Sequence, residues 1–120
     1  MAANGVERLE TLKKNYEFRR LYSRGKSAAA PVLVVYCRQN GTDRGRVGFT
    51  VSNKIGNAVV RNGIRRRLRE IYRLNSPSLQ NGMDIVVVAR SRAAQADYSA
   101  LESAFMHCCG RLGIVRSEKK

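Results

Sequence analysis

The 120-residue sequence has little material for metal binding or for covalent cross-links. It contains no tryptophan, one histidine and three cysteines. Two of the cysteines are adjacent, which makes a poor cross-link, and neither Cys-x-x-Cys nor a His/Cys spacing typical of zinc sites occurs. We therefore predict that Cys37, Cys108 and Cys109 are reduced thiols packed as small hydrophobic side chains in a cytoplasmic protein without a metal site.

Long hydrophobic runs are also absent. The first ten residues contain no apolar segment that could act as a signal peptide. No stretch approaches the roughly 20 consecutive apolar residues needed to cross a bilayer. We therefore expect no association with a membrane.

Acidic residues are scarce and do not gather. Nine aspartates and glutamates are scattered along the chain, without the carboxylate cluster that a two-metal active site requires. No nucleoside-triphosphate motif or nucleophile motif occurs, and the single histidine, His107, lies beside cysteines in the last predicted helix. No catalytic residue is predicted, and a nuclease that acts by itself is disfavoured.

Positive charge is abundant instead. The chain has 23 lysines and arginines and a formal net charge of +14. Such a surplus raises electrostatic self-repulsion in the folded chain and is typical of proteins that bind a polyanion. Hydrophobic residues make up 43% of the sequence, which is enough for one modest core. We predict a single domain over residues 1–120, with loose ends at 1–10 and 116–120.

Hydrophobic periodicity predicts three helices and three strands. The first helix is expected to begin with Asn15 as its N-cap and to end before Gly25. The first two strands are expected to pair as an antiparallel hairpin, and the third, an uninterrupted apolar run, to be covered on both faces. The order α-β-β-α-β-α indicates a mixed α/β or α+β fold. The predicted elements cover residues 15–24, 31–38, 46–52, 58–74 and 85–89, with a last helix from about 97 onward.

The second predicted helix carries the strongest functional signal. At about 100° per residue, its apolar side chains share one arc, namely Val60, Ile64, Leu68, Ile71 and Leu74. The polar side chains on the opposite side are Arg61, Asn62, Arg65, Arg66, Arg69 and Arg73. Arg67 lies nearer the apolar arc and is expected at its rim.

The polar side of this helix predicts a nucleic-acid partner, because helices that are merely solvated usually mix the two signs of charge. Glu70 is the only acid among six arginines between positions 61 and 73. Like charges repeat one turn apart along Arg61, Arg65, Arg69 and Arg73. The planar guanidinium also grips phosphates through two hydrogen bonds and stacks on bases. Lys54 and Asn57 stand at the start of the helix, where free N–H groups favour anions, although Asn57 could serve there as a simple cap.

Residues 51–70 read VSNKIGNAVVRNGIRRRLRE and resemble the signature of the bacterial ribonuclease P protein family. Two flanking segments agree with the same family: 12–22, which begins LKKN, and 84–90, which reads DIVVVAR. The resemblance covers nearly the whole chain. The sequence departs from the family at Gly63, where the family has arginine, and at Asn53, where lysine is common. Gly63 should weaken the helix by about 1 kcal/mol relative to alanine.

The resemblance implies an α+β fold, an α/β sandwich similar to a domain of a small-subunit ribosomal protein. That fold has a small mixed sheet packed by helices and a left-handed β-α-β crossover, an exception to the usual handedness. The resemblance also implies the protein subunit of a ribonucleoprotein endonuclease that matures the 5′ end of tRNA. Catalysis and the requirement for Mg²⁺ would then belong to the RNA subunit, and the protein would hold no cofactor.

Two binding surfaces follow from the same resemblance. The catalytic RNA of ribonuclease P would contact Lys54, Asn57, Arg61, Asn62, Arg65, Arg66, Arg69 and Arg73. The single-stranded 5′ leader of precursor tRNA would lie in a cleft between the first helix and the sheet, formed by Phe18, Tyr22 and Tyr36, with Lys54 and Arg61 near its charged edge. From spacing alone the aromatic residues could equally belong to the core, and for Phe18 core packing is the stronger interpretation.

A different function also fits the basic surface. A ribosomal or ribosome-assembly protein could use the same helix to bind ribosomal RNA, and composition alone does not separate the two. DNA binding is disfavoured, because no helix-turn-helix pair and no dimerisation seam is apparent.

Overall fold

The computed structural model describes residues 9–116, which form a four-stranded sheet and three α-helices. In chain order the elements are α1 (Asn15–Arg24), β1 (Lys26–Ala29), β2 (Leu33–Gln39), β3 (Arg46–Thr50), α2 (Ala58–Asn75), β4 (Met83–Ala89) and α3 (Tyr98–Leu112). Short 3-10 helices lie at Ser76–Ser78 and Ser91–Gln95. The predicted α+β class and the mixed sheet are confirmed, but the predicted order lacks β1. This strand reads KSAA and contains no β-branched or aromatic residue, so it carries no β-propensity signal.

The strands lie in the order β1-β2-β4-β3. β2 pairs antiparallel with both β1 and β4, whereas β3 pairs parallel with β4 through the α2 crossover. The predicted hairpin of the first two predicted strands, which correspond to β2 and β3, is therefore wrong, because β4 lies between them. β4 is buried along nearly its whole length, so the central position, with a neighbour on each side, is the one its apolar sequence favours.

Helices cover both faces of the sheet. On one face α1 packs against β4, with Leu12, Leu21 and Val86 buried together. On the other face α2 and α3 pack against the alternate β4 residues, and Ile64 and Phe105 belong to that larger core. The expectation that 85–89 is covered on both faces is confirmed.

The helix starts agree with the sequence in two of three cases. The Asn57 side chain accepts a hydrogen bond from the Val60 N–H at 3.0 Å, which makes it the N-cap of α2. Asp97 caps α3 in the same way. Asn15 is not a cap: α1 begins there and the N-cap position is Lys14.

The ends of α1 are fixed by contacts that the sequence pattern does not reveal. One carboxylate oxygen of Glu17 accepts hydrogen bonds from the backbone N–H groups of Lys13 and Lys14, at 2.9 and 3.0 Å. Gly25 follows the helix as predicted, but its φ of −81° is not left-handed. A Cβ at Gly25 would lie 2.7 Å from the Leu21 carbonyl oxygen, so glycine is required there for close approach of the backbone.

The predicted apolar arc of α2 is right except at its last turn. Ile64, Leu68 and Ile71 are buried, whereas Leu74 is 52% exposed and Tyr72 is buried instead. Tyr72 and Leu74 stand at opposite edges of the arc, because two residues along a helix turn by about 200°. The core covers the edge of the arc on which Tyr72 lies and leaves the Leu74 edge exposed. Arg67 is partly buried at the other edge, as predicted.

All three cysteines are buried free thiols, as predicted. Burial raises the pKa of the Cys109 thiol to about 12 and also raises the pKa values of Cys37 and Cys108. Each thiol therefore stays protonated and packs as a small apolar group.

The ends predicted to be loose lie mostly outside the described residues. Within them, the Val47 N–H donates to the Glu10 carbonyl oxygen at 3.0 Å, and the Arg116 N–H donates to the Ser78 carbonyl oxygen at 2.7 Å. Residues 10 and 116, which border these ends, are thus each held by a backbone hydrogen bond. Between residues 9 and 116, none of the helices has the length and apolar character needed to cross a membrane.

Candidate nucleic-acid interface

The polar side of α2 is a ridge of arginines. Asn62, Arg66, Arg69 and Arg73 are exposed, and Arg61 and Arg65 are partly buried. We call these six residues the arginine face. Arg66 and Arg69 make no hydrogen bond or ion pair with any residue from 9 to 116. Their donors are therefore free to meet an anion.

The two partly buried arginines are held in place by backbone carbonyl groups. Nε of Arg61 donates to the Gly56 carbonyl oxygen at 3.1 Å. Arg65 donates to the Asn62 side-chain oxygen at 3.1 Å and to the Val51 carbonyl oxygen at 3.5 Å. These contacts orient both guanidinium groups beside the start of α2 and the end of β3.

Glu70 neutralises one member of the arginine face. Nε and Nη2 of Arg73 donate to its two carboxylate oxygens at 3.1 and 2.7 Å, and the hydrogen bond from Arg73 lowers the pKa of Glu70. The pair is exposed, so it adds little stability. The other five arginines of α2 have no carboxylate partner in the described part of the chain.

Lys54 and Asn57 both lie just before the first residue of α2, but their environments differ. Lys54 is exposed, and its backbone N–H donates to the Ser52 hydroxyl at 3.1 Å. The side-chain oxygen of Asn57 is already occupied as the cap of α2. The capping interpretation of Asn57 is thus correct, and its side-chain NH₂ group is the part that remains for an anion.

An open cleft of about 400 Å³ lies between α1 and the edge strand β3. We call it the α1–β3 cleft. α1 contributes four of its lining residues, β3 and the residue after it contribute three, and α2 contributes one: Asn15, Phe18, Arg19, Tyr22, Phe49, Thr50, Val51 and Arg65. Because Arg65 also belongs to the arginine face, the two surfaces are continuous.

The aromatic residues of the cleft have distinct positions. Tyr22 is 41% exposed, and its hydroxyl lies 2.9 Å from the Thr50 hydroxyl. The Tyr36 ring packs edge-on against Tyr22 with centroids 4.9 Å apart, so Tyr36 supports the cleft from behind and does not line it. Phe18 is partly buried against the core beneath α1, and it also lines the cleft.

Phe18 fits over the sheet only because position 48 has no side chain. A Cβ on Gly48 would lie 2.6 Å from the Phe18 ring. Gly48 is therefore a positioning residue that the sequence reasoning did not identify. The alternation along 46–52, which puts Gly48 and Thr50 on one face of β3, was the available signal.

The structure brings only some of the predicted leader-binding residues together. Phe18 and Tyr22 line the α1–β3 cleft, but Lys54 and Arg61 do not. Arg65, predicted only for the catalytic RNA, and Arg19, which we did not single out, supply the positive charge there. Arg19 adjoins Phe18 in the sequence, which was its only signal.

The position of α1 over the sheet is set by a charged network. Arg46 of β3 donates to Glu17 of α1 at 2.9 Å and to Asp84 of β4 at 2.9 and 2.7 Å. Hydrogen bonds from the Lys14 and Lys13 backbone N–H groups and the charge of Arg46 lower the pKa of Glu17. The hydrogen bond with Asp84 raises the pKa of Arg46. α1 is thereby held to β3 directly and to β4 through Arg46.

Gly63, where the sequence departs from the family pattern that it resembles, lies on α2 beside the arginine face. A Cβ there would lie 3.6 Å from an Arg67 guanidinium nitrogen, which is an ordinary contact. Nε of Arg67 is buried without a hydrogen-bond partner in the described structure. A methyl group at position 63 would therefore fit without a clash.

Acidic, histidine and cysteine side chains do not converge on a possible metal site anywhere in residues 9–116, where no group of three or more could hold an ion. His107 is exposed on α3.

Comparison with known proteins places these features in a family. The family model described as Ribonuclease P matches residues 6–113. The ribonuclease P protein component of Alkaliphilus oremlandii is 39% identical over 112 residues, which cover 93% of this chain and 98% of that protein. That of Natranaerobius thermophilus is 43% identical over 101 residues, covering 84% and 88% of the two chains.

Solved structures agree with the sequence comparison. The RNase P protein of Staphylococcus aureus superposes with a TM-score of 0.82 at 33% identity, covering 91% of this chain and 100% of the other. The Thermotoga maritima RNase P protein gives a TM-score of 0.75 at 32% identity, covering 82% and 93%. The arginine face, the α1–β3 cleft and the α+β fold are thus features of a chain that belongs to the ribonuclease P protein family.

Proposed function

We propose that this chain, as the protein subunit of ribonuclease P, binds the RNA subunit through its arginine face and the 5′ leader of precursor tRNA in the α1–β3 cleft. The observation that carries the proposal is the position of Arg65, which belongs to both surfaces. A single RNA-covered surface can therefore extend from α2 onto α1. The two RNA molecules would meet near the end of β3.

The arginine face supplies the affinity for the RNA subunit. Its cations stand one turn apart with one exposed carboxylate among them, so the isolated face repels itself. Phosphates remove this repulsion and accept paired hydrogen bonds from each guanidinium group. Lys54, Asn57 and Arg61, at the start of α2, would continue the same contact with the RNA subunit.

The α1–β3 cleft suits a single-stranded leader. Tyr22 presents an exposed ring edge, and Phe18 presents the part of its ring that the core does not cover. Stacking of an unpaired base on such rings contributes roughly 1–3 kcal/mol per base. Arg19 and Arg65 stand beside the rings and can neutralise the leader phosphates. Tyr36 would act indirectly, by fixing the Tyr22 ring.

The protein contributes electrostatics and positioning to the reaction. We assign cleavage of the precursor tRNA to the RNA subunit, which would also bind the Mg²⁺ that cleavage requires. The reaction would take place in the bacterial cytoplasm. By neutralising phosphates of both RNA molecules, the protein reduces their mutual repulsion, which should lower the Mg²⁺ concentration that the holoenzyme needs.

The decisive experiment measures 5′ cleavage of a precursor tRNA at low Mg²⁺, using a bacterial ribonuclease P RNA with and without this protein. We expect cleavage only when both are present. Protein alone that cleaves the substrate would overturn the assignment of catalysis to RNA. Tight, salt-sensitive RNA binding without any stimulation of cleavage would overturn the subunit role and favour a ribosomal RNA partner.

A further inference from the structure

Arg67 is the arginine of α2 to which the proposed function gives no part. It lies at the edge of the apolar arc, partly buried, and does not belong to the arginine face. Its charge is nevertheless uncompensated within the fold, because it makes no hydrogen bond and no ion pair with any residue from 9 to 116. The place of its guanidinium group decides what this charge can reach.

The Arg67 guanidinium group lies over position 63. Long side chains on a helix lean toward its N-terminus, so each covers the turn before its own Cα. In Arg67 the nitrogen Nη1 lies 3.6 Å from the point where a Cβ of residue 63 would stand. Gly63 has no side chain, so the guanidinium group is free to occupy this space. A positive charge therefore stands beside the backbone at the position where the family pattern has arginine.

Position 63 borders the arginine face. Gly63 comes three residues before Arg66, and three residues turn a helix by about 300°, so the two positions lie about 60° apart around α2. A charge over Gly63 thus extends the arginine face beyond Arg66, at the end of the face opposite Arg61. The missing side chain also lets a phosphate approach the helix backbone closely there.

The guanidinium group of Arg67 is free to turn toward a ligand. Arg61 and Arg65 are each held by a backbone carbonyl oxygen, whereas Nε of Arg67 is buried without an acceptor in the described structure. Packing of its apolar stem is what holds Arg67 at the edge of the core. Turning its guanidinium group outward therefore breaks no internal hydrogen bond and gives Nε access to an acceptor.

We propose that Arg67 takes the place of the family's arginine at position 63 and contacts the RNA subunit across Gly63. This inference rests on the proposed function, because it requires that α2 binds that RNA. The charge missing at position 63 is supplied from the next turn of the same helix. Arg67 is thereby a further RNA-binding residue, although its Cα lies nearer the apolar arc than the arginine face.

The test compares four proteins by their affinity for ribonuclease P RNA at one salt concentration: the unaltered protein, Arg67→Gln, Gly63→Arg and Gly63→Arg/Arg67→Gln. Arg67→Gln should weaken binding about fivefold or more, because a charge-assisted phosphate contact is lost. Gly63→Arg should strengthen binding more in the Arg67→Gln protein than in the unaltered one, since the two arginines serve the same contact. Equal gains in the two backgrounds would overturn the proposal.

Two further variants separate a contact with RNA from other effects. Gly63→Ala/Arg67→Gln gains helix propensity without a charge and should bind as weakly as Arg67→Gln. Restored binding in this alanine variant would show that Arg67 acts on helix stability, and would refute the contact. Arg92→Gln removes one exposed charge outside α2 and should leave the affinity nearly unchanged. A loss equal to that of Arg67→Gln would also refute it. Urea denaturation verifies that each variant is folded.

The unaltered protein distinguishes a failure of this inference from a failure of the proposed function. If it does not bind the ribonuclease P RNA, both are overturned. If it binds with the expected salt dependence and Arg67→Gln binds equally well, the inference alone is overturned.

Discussion

Arg46 and Asp84 are register partners across the parallel β3–β4 pair, and the guanidinium of one donates two hydrogen bonds to the carboxylate of the other. The third contact of Arg46, with Glu17, reaches α1. Asp84 is 7% exposed and is the only charged residue buried within the described structure. One arginine therefore compensates a buried charge and fixes the helix that forms one wall of the α1–β3 cleft.

Replacing Arg46 should be strongly destabilising. Arg46→Met leaves the buried Asp84 carboxylate without its cation, and we expect a loss of about 2–4 kcal/mol in the free energy of unfolding. Urea denaturation at neutral pH measures the effect. Arg44→Met is the control, because Arg44 pairs with Glu10 at the surface and should cost at most about 1 kcal/mol. Similar losses in the two variants would contradict the role given to Arg46.

The Glu17 carboxylate should make stability depend on pH in the acid range. Its pKa is lowered in the folded protein, so the unfolded chain binds the proton first as the pH falls. The contribution of Glu17 to the free energy of unfolding is present in full above the pKa that Glu17 has in the unfolded chain. It is lost as the pH falls through the lower pKa that Glu17 has in the folded protein. Glu17→Gln should therefore flatten the decline of the melting temperature below about pH 4.5. An unchanged acid profile in the variant would contradict this.

A side chain at position 48 should distort the cleft. In Gly48→Ala the new methyl group overlaps the Phe18 ring, so the ring or the strand must move. We expect a loss of about 1–3 kcal/mol in stability and weaker binding of a single-stranded leader oligonucleotide.

Gly110→Ala is the control for that change. It also adds one methyl group, but in open space on α3, and should stabilise the protein by up to about 1 kcal/mol. Unfolding measurements and titrations with the leader oligonucleotide on both variants test this prediction. If Gly48→Ala left both stability and binding unchanged, the close contact between position 48 and the Phe18 ring would be disproved.

The arginine face should control the salt dependence of binding to the ribonuclease P RNA. Arg66→Gln/Arg69→Gln removes two cations that have no partner in the described structure. The slope of log affinity against log salt concentration should become shallower by about 2. Arg92→Gln/Arg111→Gln removes equal charge and should leave the slope nearly unchanged. If both pairs alter the slope equally, binding depends on net charge and not on this face.

Arginine at position 63, which the family resemblance leads us to expect, should improve both stability and RNA binding. Gly63→Arg gains about 0.5–1 kcal/mol of helix stability, since the site meets only an ordinary contact with Arg67. Gly63→Ala provides the same helical gain without the charge. Tighter RNA binding by the arginine variant than by the alanine variant would assign the difference to the guanidinium group. Equal affinities would show that this position does not touch the RNA.

The sequence predicted local structure well where one residue pattern decides it. α2 has strong helical periodicity and an asparagine cap, and its buried and charged sides are as expected except for Tyr72 and Leu74. β4 is apolar except for Asp84, and the burial of its apolar run on both faces was therefore predictable.

Pairing and proximity were harder to predict because they depend on distant parts of the chain. Neighbouring strands in the sequence usually pair, but here the apolar β4 separates β2 from β3. A cleft between the first helix and the sheet was expected only from the family resemblance, and Arg65 joins it because α2 begins beside the end of β3. No pattern within α2 distinguishes Arg65 from the other arginines.

The parallel crossover has a consequence for the order in which the chain can fold. Thirty-eight positions separate Arg46 from Asp84, and the whole of α2 lies between them. During synthesis β3 leaves the ribosome well before β4, so the edge of β3 that β4 covers stays unpaired until β4 emerges. Bringing the two ends of this segment together costs conformational entropy before any contact between β3 and β4 can offset it. Formation of α2 shortens this distance, which makes the arginine-rich helix the connection whose folding governs completion of the sheet.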